Sequence, residues 1–282
     1  MTEPAPTSRP DGAQRCYRHP DREAYISCQR CERPICPDDM RDASVGFQCP
    51  ECVSQGAKAV RTPRTIAGGA IQAREGVVSQ TLIVVNVALY VLQVLTGDRS
   101  SELYQQGVMF PYGVADGEYW RLITSAFLHL SVLHIAFNMY ALYLFGPFVE
   151  RALGTVRFVA AYLTTALVSG VFVLWLSDPL GGTAGASGAV FGLFGMALVL
   201  LLKARQDVRG LLVLLAINGA ISFTGNISWQ GHLGGFVAGV VLGLVFAYAP
   251  RERRTLVQVA AFATIAVLVV VAVVVRTAQL LP

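Results

Sequence analysis

Two sets of residues in this 282-residue chain have the types and spacing to do chemistry. The first surrounds Ser187, in the stretch Gly181-Gly182-Thr183-Ala184-Gly185-Ala186-Ser187-Gly188 that opens an apolar run continuing through Leu202. Small residues of this kind let membrane helices approach closely, and a hydroxyl among them can bond back to its own helix. They also keep bulk away from a nucleophile and leave backbone N–H groups free to hold an oxyanion. Those eight residues alone are compatible with either use. The second set is four pairs: Cys16-x2-His19, Cys28-x2-Cys31, Cys36-x2-Asp39 and Cys49-x2-Cys52. A two-residue gap lets both side chains of a pair reach one tetrahedral ion, and thiolate with imidazole is a donor set that zinc prefers. Eight such ligands imply two structural zinc ions, which would supply folding energy that so small a segment cannot find in a core. Asp39 has Asp38 beside it, and either could be a solvated turn residue instead.

The elements that must position these residues are of two kinds. With 54% hydrophobic and 14% charged residues the chain is too apolar for an ordinary soluble domain. The apolar residues come in long runs after about residue 77, while the polar first 76 residues hold all six cysteines. Residues 1–13 read as a disordered lead-in rich in Pro and Thr, and 14–53 as the zinc-binding segment. Residues 54–76 form a basic juxtamembrane linker with Lys58, Arg61, Arg64 and Arg74 against Glu75. Such a linker contacts anionic lipid or is simply solvated. The N-terminus has no apolar core, so no cleavable signal peptide is expected. The net charge of +4 is modest, and the head lacks the helix and basic spacing of a DNA-reading finger, so no nucleic-acid partner is expected.

Seven apolar segments follow: Val77–Leu95, Leu128–Val149, Phe158–Leu176, Ala184–Leu202, Leu211–Phe223, Leu233–Ala249 and Leu256–Val275. Most are near the roughly 20 residues that a helix needs to cross a bilayer, and apolar all round rather than striped; the fifth is short and bounded by Gly210 and Gly225, as a tilted or partly sunken segment would be. Basic residues mark alternate loops: Arg151 and Arg157, then Lys203, Arg205 and Arg209, then Arg251, Arg253 and Arg254. By the positive-inside rule these loops and the N-terminal head are cytoplasmic, and the C-terminus is extracytoplasmic. The expected location is the plasma membrane, with several passes through it.

That topology makes the histidines of the membrane body informative. His134 and Asn138 fall one turn apart on the second segment, Ser187 at the start of the fourth, and His232 at the start of the sixth. All lie in one shallow stratum near the outer face, where polar residues by default mark function. His129 is expected nearer the water interface, with no catalytic role. Glycines at Gly235, Gly239 and Gly243 repeat along the sixth segment after His232, a stripe that would let it press against the glycine-lined start of the fourth.

In these residues the body resembles the rhomboid intramembrane serine proteases. The matching features are Trp120-Arg121, His134-x3-Asn138, Gly185-Ala186-Ser187-Gly188 and Gly231-His232 with its trailing glycines. The resemblance covers nearly all of residues 77–249 and implies an all-α polytopic fold. Its parts would be a six-helix rhomboid core, then a seventh transmembrane helix and tail over 250–282. It implies Ser187 as nucleophile and His232 as general base, a dyad without a third carboxylate. Asn138, His134 and the Ser187 backbone N–H would form the oxyanion hole, Trp120 and Arg121 would shape the external loop, and Phe191 would stack on His232. The substrates would be transmembrane helices cleaved near the outer face, with no cofactor for the reaction. The head resembles a B-box-type zinc finger, in which alternate pairs share a metal. That joins Cys16, His19, Cys36 and Asp39 at one ion and Cys28, Cys31, Cys49 and Cys52 at the other, with a cytoplasmic protein as the finger's partner. The rival expectation is a catalytically silent rhomboid-like scaffold that binds transmembrane clients. A transporter fits less well, because the polar residues gather at one level with no matching cytoplasmic set.

Overall fold

The computed structural model describes residues 14–59, 64–71, 75–224 and 227–281. The lead-in at 1–13 and the linker residues Arg61 and Arg74 lie outside the described residues. The chain divides into two compact units, Met1–Thr62 and Pro63–Pro282.

The first unit is three two-residue hairpins and a helix. Strands β1 (Gln14–Arg15) and β2 (Glu23–Ala24) pair antiparallel, as do β3 (Ile26–Ser27) with β4 (Pro34–Ile35) and β5 (Arg41–Asp42) with β6 (Phe47–Gln48). Helix α1 (Pro50–Ala59) starts between Cys49 and Cys52 and runs six residues beyond position 53, into the segment read from sequence as linker. Its apolar centre is little more than Ile35 and the buried cysteines, which is why this unit needs something besides burial to hold it.

The second unit is a helical bundle. Its long helices are α2 (Val77–Leu95), α6 (Val132–Leu153), α7 (Thr155–Leu176), α8 (Ser187–Lys203), α9 (Arg209–Thr224), α10 (Trp229–Tyr248) and α11 (Arg254–Leu280). Short helices α3 (Glu102–Gly107), α4 (Pro111–Ala115) and α5 (Arg121–Thr124) occupy the connection from α2 to α6. Among the described residues, five helices (α2, α6, α7, α10 and α11) are long and apolar enough to cross a membrane, while α8 and α9 are shorter apolar helices of 17 and 16 residues. All seven segments expected from the sequence are thus helices. The second starts four residues later than expected, because Ser131 is extended at φ −164° and caps α6 by accepting the N–H of His134. Large apolar side chains such as Val84, Phe137 and Leu268 stand exposed on the outer helices, a surface suited to lipid.

Helix α8 is the axle of the bundle: every residue from Gly188 to Ala197 is buried. Around it pack α6, α7 and α10, whose buried residues Leu142, Val149, Phe158, Tyr162, Leu242 and Phe246 join Leu193 and Met196 in one core. Helix α2 leans on α6, where the buried carboxylate of Glu150 accepts the N–H groups of Val78 and Ser79 at 3.0 Å and the Ser79 hydroxyl at 2.8 Å. That carboxylate satisfies first-turn amides of α2 that would otherwise be orphaned at the membrane. Helix α11 lies against α7 through Val269 and Val273.

The tightest contact joins α8 and α10 backbone to backbone. A Cβ placed on Gly235 would overlap the carbonyl of Gly188, one on Gly239 that of Gly192, and one on Gly195 would sit 2.6 Å from the Phe236 carbonyl. The glycine stripe after His232 therefore does meet the start of the serine helix. Overfilling such a seam typically costs about 1–3 kcal/mol. Gly239→Ala is expected to lower the thermal midpoint of the detergent-solubilised protein. Gly210→Ala, where a Cβ meets nothing within 4 Å, should leave it unchanged.

Candidate active site and metal centres

Ser187 is the first residue of α8, half-buried at the helix N-terminus. Its N–H and those of Gly188 and Ala189 belong to the first turn and have no intrahelical acceptor, so they are available to an anion. The chain reaches this position through Gly185, whose φ of +142° suits only glycine and whose N–H is anchored to the Ser125 carbonyl at 2.9 Å. A Cβ on Gly185 would lie 2.8 Å from His134 Nε2 and 3.6 Å from Ser187 Oγ. The missing side chain is thus the space between those two groups.

His134 stands in the first turn of α6, half-buried, and its Nδ1 accepts the N–H of Leu130 at 3.4 Å. That bond assigns the ring proton to Nε2, the nitrogen facing Gly185 and the serine. One turn on, Asn138 is buried and donates from Nδ2 to the His134 carbonyl at 2.9 Å, which leaves a second amide proton free. His134 Nε2 and the serine at the start of α8 therefore flank the same space, with Asn138 one turn further along α6.

His232 is buried near the start of α10, in the turn after the N-cap Ser228. Its ring lies flat on Phe191, with centroids 4.1 Å apart and planes 10° apart, so the aromatic one turn after the serine stacks as expected. Its Nδ1 is 2.7 Å from the hydroxyl of Ser222 on α9, and its Nε2 has no hydrogen-bond partner. The hydroxyl of Ser187 and this nitrogen are on adjacent helices joined by the Gly188–Gly235 contact, without a hydrogen bond between them. Ser222 had no signal in the sequence: nothing in its spacing marks it out from a packing serine.

Three further residues are placed differently from, or more fully than, the sequence reading. His129, expected nearer the water interface, is not exposed to solvent. It is fully buried ahead of α6, its ring 5.3 Å from that of His134, and its backbone is held by Gln93 of α2 at 2.8 Å and 3.4 Å. It packs behind His134 rather than beside solvent. Arg121 is buried and donates to Glu118 at 2.6 Å and to the carbonyls of Gln105 and Val108 at 2.8 Å, while exposed Trp120 donates to the Gln106 carbonyl at 2.9 Å. Both staple the connection between α2 and α6, in keeping with a shaping role.

In the first unit the eight metal-type ligands form two groups, Cys16, His19, Cys36, Asp39 and Cys28, Cys31, Cys49, Cys52, with ligand atoms within 4.8 Å of one another in each. Alternate pairs are therefore interleaved, and either group could hold a metal ion. Asp39 rather than Asp38 faces the first group. Its Oδ2 lies 3.2 Å from Cys16 Sγ and 3.1 Å from His19 Nδ1, while Asp38 is exposed and pairs with Arg22. The thiol chemistry fits a cation. Burial raises the Cys28 thiol, but backbone N–H groups of Cys49, Arg30 and Cys31 outweigh it and bring it to about 6. Burial, followed by the neighbouring sulfurs of Cys49, Cys31 and Cys28, pushes Cys52 up to about 12. Four thiolates this close form together only around a positive ion.

A half-buried serine at a helix N-terminus, close to His134 and on a helix packed against the one that carries His232, makes a candidate hydrolase-type site inside an apolar helical bundle. Comparison with known proteins agrees. Residues 116–249 match the Rhomboid domain. YdcA of Bacillus subtilis is 37% identical over 150 residues, covering 50% of this chain and 74% of YdcA. Rhomboid protease GlpG of Pectobacterium atrosepticum is 30% identical over 197 residues, covering 66% of this chain and 67% of GlpG. Rhomboid protease GluP of Bacillus subtilis is also 37% identical over 150 residues, but the match spans 29% of GluP. The chain belongs to the rhomboid family, and its enzyme class is that of the intramembrane serine proteases.

Gly185 tests the site directly. Gly185→Ala would drive a methyl into the His134 ring, and losing one oxyanion donor typically costs about a hundredfold or more in turnover. The expected outcome is that loss in kcat on a transmembrane substrate, with a lowered thermal midpoint as well, since alanine is strained at this φ.

Proposed function

We propose that this rhomboid protease cleaves transmembrane-helix substrates by a Ser187–His232 dyad. Ser187 Oγ attacks the scissile carbonyl carbon, its proton passes to His232 Nε2, and the carbonyl oxygen becomes the oxyanion. The Ser187 N–H, His134 Nε2 and Asn138 Nδ2 receive that oxyanion. Collapse of the intermediate breaks the peptide bond, and His232 returns the proton to the leaving amine. Water then repeats the attack on the acyl-enzyme. The observation that carries this reading is the free Nε2 of His232, held flat on Phe191 beside the open helix end that bears Ser187. The serine and this nitrogen come into hydrogen-bond reach when substrate binds, since such contacts are often loose in the apo site.

The helices that begin at the site (α6, α8 and α10) open towards the outside, and the basic loops at their far ends face the cytoplasm by charge. On this reading the protein is a multi-pass plasma-membrane enzyme with a cytoplasmic N-terminus and an extracytoplasmic C-terminus. Its substrates are helices that unwind near their outer end, since helical hydrogen bonding otherwise shields the peptide bond. The first unit binds two zinc ions in a B-box-like cross-brace, through Cys16, His19, Cys36 and Asp39 and through Cys28, Cys31, Cys49 and Cys52. A cytoplasmic protein is its partner. Zinc there is structural, tying hairpins that have little core of their own.

Ser187→Ala and His232→Ala should each abolish cleavage of a reconstituted single-span substrate, with the double variant no worse than either, because the two groups act as a unit. A serine-directed phosphonate should label the wild type at Ser187. Cleavage by purified Ser187→Ala protein would instead assign the activity elsewhere and leave a client-binding scaffold. For the head, elemental analysis of protein purified without chelator should find about two zinc ions per chain, and Cys31→Ser should lose one of them. A metal content near zero would refute the zinc centres.

A further inference from the structure

The hydrogen bond between Ser222 and His232 carries information about the proton on the imidazole. Ser222 is buried in α9, and its Oγ lies 2.7 Å from the carbonyl of Asn218 and 2.7 Å from His232 Nδ1. A serine hydroxyl has one proton. A carbonyl oxygen can only accept, so at 2.7 Å from Asn218 O the hydroxyl proton is committed there; otherwise two oxygens would face each other lone pair to lone pair. The Ser222 oxygen is then an acceptor towards His232, and the proton between them belongs to Nδ1. A neutral imidazole carries one N–H, so Nε2 is the bare nitrogen. Nε2 is also the nitrogen without a partner, and a bare nitrogen is what a general base must present.

We propose that Ser222 is a positioning residue that holds His232 in the Nδ1–H tautomer and so sets Nε2 as the base for Ser187. The inference rests on the dyad reading above and deepens it. An acceptor at Nδ1 is the part that a carboxylate plays in a triad, where it fixes tautomer and ring orientation and stabilises the imidazolium. Here a hydroxyl with its own proton tied to a helix carbonyl fills that part without placing a charge in the membrane, where a carboxylate would be costly. The ring is thereby held on two sides, by Phe191 against its face and by Ser222 at its edge. The bond also reaches across elements. Among the described side chains of α9, Leu211 and Ser222 are the buried ones, so this contact joins those of Leu211, Leu214 and Leu215 in seating α9 in the bundle.

The test reads the tautomer and the turnover separately. In protein with 15N-labelled histidine in detergent micelles, the His232 signals are identified by their loss in His232→Ala. They should show a protonated Nδ1 and a bare Nε2 at neutral pH. In Ser222→Ala the same signals should move towards the Nε2–H form, with His129 and His134 signals unchanged as evidence that the fold is intact. Turnover in that variant should fall about ten- to a hundredfold with KM altered by less than about threefold, the scale of general-base loss. Ser222→Thr, which keeps the hydroxyl, should return the Nδ1–H signature. A wild-type His232 protonated at Nε2 overturns the proposal, as does a Ser222→Ala protein with unchanged tautomer or unchanged kcat. Failure of the dyad itself would be read elsewhere, in cleavage by Ser187→Ala protein, and the tautomer measurement does not depend on it.

Discussion

The close approach of α8 and α10 is the constraint on which the rest of this membrane unit depends. In water, burying side chains would press two helices together, but lipid tails are as apolar as leucine and supply no such force. What remains is dispersion between well-fitted surfaces and weak Cα–H to carbonyl contacts, each small and all steeply dependent on distance. Glycine at 195, 235 and 239 lets the two backbones touch, which makes those terms count, while at 188 and 192 the absent side chain makes room for Ser169 and Thr165 of α7. The same contact brings the first turn of α8 beside the first turns of α10, and so places Ser187 near His232. Stability and chemistry share one seam, and a side chain added there disturbs both.

Around that seam several polar groups are tied to definite partners. Glu150 satisfies the amides that open α2, and Gln93 grips the backbone at His129 on both its donor and acceptor sides. His134 is pointed by the Leu130 N–H, and His232 by Ser222 and Phe191. In a bilayer an unsatisfied polar group costs several kcal/mol, so the groups left open stand out. Among the described residues of this unit they include the Nε2 of His232, on the helix packed against the serine helix, but also both ring nitrogens of His129, the Tyr162 hydroxyl and the Asn86 carbonyl oxygen.

The first unit solves a different problem with different means. Three short hairpins and one helix bury too little apolar surface to hold themselves, and the thiols at their centre resist joint ionisation. A cation bound by interleaved pairs would remove both difficulties at once, because each pair comes from a different turn of the chain.

Much of this was legible in the sequence because local rules carry it. Membrane helices announce themselves by length and hydropathy, and all seven segments are helices, with α2 matching its expected ends. Ligand pairs announce themselves by a two-residue gap, and a glycine repeat by its helical period, since both are short-range geometry. Residues that act across the bundle leave no such trace. His129 read as an interface residue because sequence gives depth only by counting along a helix, and Ser131 ends that helix before reaching it. The choice of Asp39 over Asp38 needed the hairpins that turn one carboxylate inward and the other out. Ser222 is ten residues from His232 on a separate helix, with no spacing rule to connect them. Only the packing of α9 against α10 decides that its hydroxyl meets the imidazole. Sequence by itself determined which side chains can react; tertiary structure decided which nitrogen of His232 meets Ser222 and which is left without a partner, because contacts are made in space.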